Sequence, residues 1–222
     1  MGLFSDILLT VDYDRTLTAP DSTIPERNLE AIRYFMERGG AFTVNTGRSV
    51  PMFRKLLDKI PEDIADLRAK GCQIVIVSFH WGNEKDYAPT ETQIALGRAT
   101  IDAGADLVVG HHSHRINPIE CYNGRYICYS LGNFSFAGHN KPDDMSTFIF
   151  QIRMRVRDGV TTSEEFKIIP CRISSRTDKN DLIPTPYEKG NHIEAVLTNL
   201  SKNGQSLKYA VEEYPLKWSD EE

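Results

Sequence analysis

The chain has 222 residues, enough for one large domain or two small ones with a sizeable buried core. Hydrophobic residues make up 40% and charged residues 26%, the composition of an ordinary globular protein. A formal charge of −5 and a pI near 5.7 argue against nucleic acid as a partner and against general attraction to an anionic membrane.

The opening "MGLFSDILLTVDYD" has too short an apolar run for a signal peptide, and Asp6 stands where a myristoylation motif needs Ser or Thr. No run approaches the roughly 20 apolar residues that span a bilayer, so the expectation is a cytoplasmic chain without a membrane segment. Ile7 to Val11 reads as a buried strand ending in acids. "TIPERNLEAIRYFMERGG" predicts a helix with Pro25 in its first turn, Leu29, Ile32 and Met36 on one face, and Gly39-Gly40 as its stop. "AFTVN" is the next strand, and Ser49-Val50-Pro51 opens a short helix. Pro61 then opens another helix through Lys70, followed by a buried strand from Gln73 to Phe79. Thr90 and Gln93 form a capping box for a helix to Ala103, and "DLVV" is a fourth strand. Strands alternating with helices imply parallel pairing with right-handed crossovers.

From Pro118 the pattern turns antiparallel. Asn123-Gly124 and Asp158-Gly159 are hairpin turns, and Phe148, Phe150, Ile152, Met154 and Val156 alternate with polar residues. "SSRTDKNDLIPTPYEKGN" reads as a loop, His192 to Leu200 as a helix, and the acidic end as frayed. Cys72, Cys121, Cys128 and Cys171 lack CxxC spacing and read as reduced and mostly buried. The fold class expected is α/β: a parallel β-α-β core followed by antiparallel hairpins.

Two histidine groups end predicted strands: His80, and the trio His111, His112 and His114. Ligand sites in open α/β sheets lie beyond the carboxyl ends of strands, so these imidazoles are candidate metal ligands. A packed core histidine and an exposed histidine-rich turn are the alternatives. Trp81, Tyr87 and Arg115 lie beside these motifs as candidate pocket residues.

"VIVSFHWGNE", "TIDAGADLVVGHHSH" and "CYSLGNFSF" resemble the CapA-type capsule-synthesis proteins of the calcineurin-like metallophosphatase superfamily, over about Glu62 to Met154. The resemblance implies a sandwich fold, poly-γ-glutamate capsule production, and His80, His112 and His114 as ligands, with His111 less secure. The resemblance also puts Asn133 and Glu84 at the site edge, with a plain Gly-Asn turn as the alternative for Asn133. Such ligands suit Mn, Zn or Fe, and the implied activity is hydrolysis of a phosphorylated or polyanionic small molecule or polymer. The acids of that superfamily's first half do not stand out before Glu62.

Residues 8–49 resemble instead the start of a haloacid-dehalogenase (HAD) phosphatase, through the Asp-x-Asp-x-Thr of Asp12, Asp14 and Thr16 and the "NTGR" that carries Thr46. That likeness implies Asp12 as nucleophile, Asp14 as acid/base, Thr46 as a phosphate contact and Mg²⁺ as cofactor. Its downstream Lys and Gly-Asp motif are missing. The expected organisation is therefore a HAD-like fragment at 1–60 and a metallophosphatase-like half domain at 61–222. If their strands merged into one composite sheet, Asp12 and Asp14 would share a strand-end edge with the histidines. A non-catalytic binding module, or a recombined product with two vestigial half-sites, is the remaining alternative.

Overall fold

The computed structural model describes residues 3, 8–12, 24–39, 41–45 and 51–221. The chain divides into two units, Met1–Ser49 with Ser78–His80, and Val50–Val77 with Trp81–Glu222.

In the first unit, β1 (Leu8–Asp12) pairs in parallel with β2 (Ala41–Asn45), Asp12 standing opposite Asn45. Helix α1 (Glu26–Glu37) starts after Pro25, whose fixed φ suits a helix entry, and stops before Gly39 at φ 91°. Its predicted apolar face is only partly covered. Leu29 and Ile32 are half-buried, but Met36 is 52% exposed, and no residue of the helix is fully buried. Among the described residues β1 and β2 pair with each other as a two-stranded sheet.

The second unit opens with α2 (Pro51–Ala69), one helix where two were expected. Pro61 lies inside it instead of starting a new one, and Ile60 and Ile64 on either side are buried. A proline removes one helical hydrogen bond, and apolar burial of about 1.5–3 kcal/mol per large side chain offsets that loss. β3 (Ile76–His80) begins three residues later than predicted and is mostly half-buried, since Ile74 is exposed. Helix α3 (Glu91–Asp102) carries the capping box as expected: the Thr90 hydroxyl accepts from the Gln93 N–H, and the Gln93 side chain accepts from the Thr90 N–H. Gly104 at φ 105° follows the helix end.

β4 (Leu107–His111) leads to the hairpin β5 (Ile119–Tyr122) and β6 (Arg125–Cys128), and the four-stranded sheet has the order β3-β4-β6-β5. Asn123 and Gly124 both have positive φ, the signature of the type I′ turn that the dipeptide predicts. β4 pairs with β6 in parallel, so the sheet is mixed. The long hairpin β7 (Ser146–Arg157) and β8 (Val160–Arg172) turns at Asp158-Gly159 and carries the short β9 (Thr185–Pro186) at its far edge. Helix α4 (Gly190–Gly204) is longer than predicted at both ends. Leu107, Val109 and Ile119 from the mixed sheet, Phe148, Phe166 and Ile168 from the hairpin, and Val196 and Leu200 from α4 share one core. The protein is thus an α/β sandwich.

The acidic end, expected to fray, is tied down. Arg153 and Lys167 lie over the Trp218 ring at 4.4 and 4.9 Å, and they pair with Asp220 and Glu221 at 3.0 Å. The basic partners sit about 50 residues or more upstream, beyond the reach of local sequence reading. The four cysteines are free thiols: Cys128 and Cys171 are buried, whereas Cys72 is exposed.

Candidate metal centre

The histidine trio occupies the C-terminal end of β4, where the chain leaves the sheet. His112 (φ 100°) and His114 (φ 55°) both adopt the left-handed region, which costs a non-glycine residue on the order of 1–3 kcal/mol. Neighbouring loops hold this turn in place. From the loop after β3, Trp81 N–H donates to His111 O at 3.2 Å and Lys85 N–H to Ser113 O at 2.7 Å. From the loop after β6, Leu131 N–H donates to Gly110 O at 3.2 Å. Ser113 is buried, and its hydroxyl bonds Arg115 O at 2.8 Å and the Ser130 hydroxyl at 3.1 Å. Asn117 then donates to Asp86 O at 2.8 Å. The three sequence motifs therefore meet as three loops stapled together, mostly through backbone groups.

Gly110 explains how they approach so closely. A Cβ there would lie 2.1 Å from Tyr129 O and 2.3 Å from Trp81 Nε1, two atoms that hydrogen-bond each other at 2.9 Å. Trp81, a candidate pocket residue, is instead 5% exposed and stacked on Tyr129.

His114 Nδ1 lies 2.7 Å from Oδ1 of Asn133, an oxygen that only accepts, so the pair is bonded when Nδ1 carries the proton, the arrangement in which Nε2 faces away from Asn133. Asn133 is buried, and Phe136 packs on the imidazole at 4.9 Å between centroids. A metal-bound histidine commonly donates its other ring N–H to such an acceptor, which orients the ring and raises its basicity. The His112 and His114 rings are 6.3 Å apart. Among the described residues no three His, Cys, Asp or Glu side chains gather closely enough to hold one metal ion. The fit is consequently partial: the turn brings the His112 and His114 imidazoles near each other, and two such side chains are fewer than a metal site needs.

His111 ends β4 and His80 ends β3, the latter grouped with the first unit. Glu84 is exposed on the loop between β3 and α3. Asp12 is the last residue of β1, while Asp14, Thr16 and Thr46 lie outside the described residues.

Sequence reading missed the link from Tyr87 to Asp144, whose hydroxyl–carboxylate bond measures 2.8 Å. Burial, reinforced by Asp144, pushes the Tyr87 phenol above its usual pKa, against an opposing pull from Arg115. Only the proximity of "KDY" to the first histidine motif hinted at a place for Tyr87 here.

The profile of the bacterial capsule synthesis proteins (PGA_cap) matches residues 13–137, more than half of the chain. The chain belongs to that family. It is 40% identical over 121 residues to the PGA biosynthesis protein CapA of Bacillus subtilis, covering 54% of this chain and 29% of that one. Against the capsule biosynthesis protein CapA of Bacillus anthracis the identity is 35% over 142 residues, 64% of this chain and 33% of the relative. A probable polyglutamine synthesis accessory protein of Mycobacterium tuberculosis is 34% identical over 175 residues, 75% of this chain and 44% of the relative. The chain thus spans less than half the length of each of these relatives. The family match also extends across residues 13–60, and the comparisons give the HAD resemblance of that segment no support. No helix among the described residues is long and apolar enough to cross a membrane.

Proposed function

We propose that this capsule-synthesis chain holds a divalent metal ion at the end of β4 and belongs to a metal-dependent hydrolase acting on a phosphorylated or polyanionic substrate. The observation that carries the reading is the 2.7 Å bond from His114 Nδ1 to Asn133, which leaves Nε2 as a donor on a turn whose backbone is already strained into place. His112 is the second ligand, and His111 is a further candidate.

Imidazole donors of this kind suit Mn, Zn or Fe. When bound, such an ion polarises a phosphoryl oxygen and lowers the pKa of a bound water. Asn133 keeps the His114 ring oriented, and the strained turn keeps the backbone fixed while ligands exchange. A strand-end imidazole that stays off the metal can deliver a proton to the leaving oxygen.

The test is metal content of the purified chain, with aryl phosphate hydrolysis measured alongside. Bound Mn, Zn or Fe that disappears in His114→Ala and His112→Ala supports the reading. Equal metal content in wild type and both variants overturns it.

A further inference from the structure

Arg115, the residue after the His-x-His pair, is the one basic residue that is buried among the described residues, at 8% exposure. The two buried carboxylates each have an arginine: Asp106 has Arg68 and Arg125, and Glu120 has Arg98. Arg115 forms no ion pair with any carboxylate among the described residues. Its Nη1 donates to His114 O at 2.9 Å, and its buried Nε meets no acceptor among the described residues. The guanidinium carbon lies 5.6 Å from the centre of the Tyr87 ring, and Asp144 is reached through the Tyr87 hydroxyl. The guanidinium also bonds the Tyr87 side chain, so this buried cation is held by a carbonyl and a phenol, with its Nε to spare and without the directly paired carboxylate that buried charges ordinarily have.

We propose that Arg115 is the anion anchor of the site: its guanidinium binds an oxyanion of the substrate beside the His112–His114 pair. The proposal rests on the reading of this turn as the substrate site. A planar fork of N–H donors matches the paired oxygens of a phosphate or of a carboxylate, whereas a lysine ammonium presents a point charge. Tyr87 and Asp144 are positioning residues. They fix the guanidinium by tying the loops after β3 and before β7 to the histidine turn.

The test is calorimetric titration of the chelator-treated 222-residue chain with inorganic phosphate and, separately, with glutarate. Wild type is expected to bind at least one of them with a Kd of about 1 mM or tighter. Phosphate-selective binding assigns the oxyanion to a phosphoryl group, and glutarate-selective binding to a carboxylate. Arg115→Lys should weaken that binding about tenfold or more, and Arg115→Met should abolish it, while Arg155→Lys, at an exposed arginine of β7 paired with Glu164, keeps it within about twofold. Should the Met variant not fold, the Lys variant, which keeps the charge, decides the matter. Equal affinity in wild type and Arg115→Lys overturns the proposal, and so does the absence of binding to either anion in wild type. Metal content of the same samples reports on the ion site independently, so the two readings fail separately.

Discussion

At the N-terminal end of β4, Asp106 is 1% exposed and every neighbour answers it. Its carboxylate accepts from Arg68 at 2.6 Å and from the Val75 N–H at 2.8 Å, with Arg125 at 3.3 Å. Arg68 also caps the carbonyls of Cys72, Gln73 and Gly104. A cavity of about 470 Å³ lies beside this cluster, lined by the same arginines, yet their charges are already matched. At the C-terminal end of the same strand, two histidines sit in strained backbone, His114 meets Asn133 through Nδ1, and Arg115 is buried without a carboxylate partner among the described residues. At one end the polar groups hold the fold, and at the other lie the groups that the proposed function assigns to a ligand. A cavity therefore accompanies the structural end, so a cavity by itself does not identify a site.

Substitutions should separate the two ends. Asp106→Asn is expected to have the largest effect on stability, about 2–4 kcal/mol in urea unfolding. That lies below the roughly 3–5 kcal/mol of a wholly buried pair because both arginines reach water. A loss under about 1 kcal/mol would show that the cluster is ornamental. Gly110→Ala should cost about 1–3 kcal/mol, since the added methyl group collides with Tyr129 O and Trp81 Nε1, and a thermal melt reads it directly. An unchanged melt would mean that the strands can separate without penalty.

Much of this organisation is legible in sequence where local chemistry decides. Asn123-Gly124, Asp158-Gly159 and the Thr90/Gln93 box each specify their own turn or cap through residues at most three apart. The three motifs likewise announced which loops matter. Their wiring is not local: Asn133 lies 19 residues from His114, and Asp144 lies 57 from Tyr87. The same holds for the C-terminal tail, whose acids look unattached until Arg153 and Lys167 appear across from them. Pro61 misled for the opposite reason. A local helix-start signal was overridden by the packing of Ile60 and Ile64.

Smaller effects sharpen the contrast. Asn133→Leu removes the acceptor that fixes the His114 tautomer, and metal affinity should fall about 10–100-fold while the fold is kept, as read by metal titration. Unchanged affinity would mean that the bond orients nothing of consequence.

The tail should show the mildest response, to acid. Hydrogen bonding from Arg153 holds Asp220 below the usual carboxylate range, and the Trp218 N–H followed by Lys167 does the same for Glu221. Carboxylates depressed in the folded state contribute stability above their ordinary pKa, and this is lost as the pH falls through the folded value. The NMR signal of the Trp218 indole should therefore move toward its free position only below about pH 4. Release at neutral pH would contradict this attachment.

The most direct test of the division along β4 pairs two readings on two variants: zinc affinity by calorimetric titration and unfolding free energy in urea, for His114→Ala and Asp106→Asn. The account predicts that His114→Ala loses zinc binding with a stability change of about 1 kcal/mol, and that folded Asp106→Asn binds zinc like wild type while losing stability. Zinc binding that survives in His114→Ala, or a wild type that takes up no divalent ion, would contradict it.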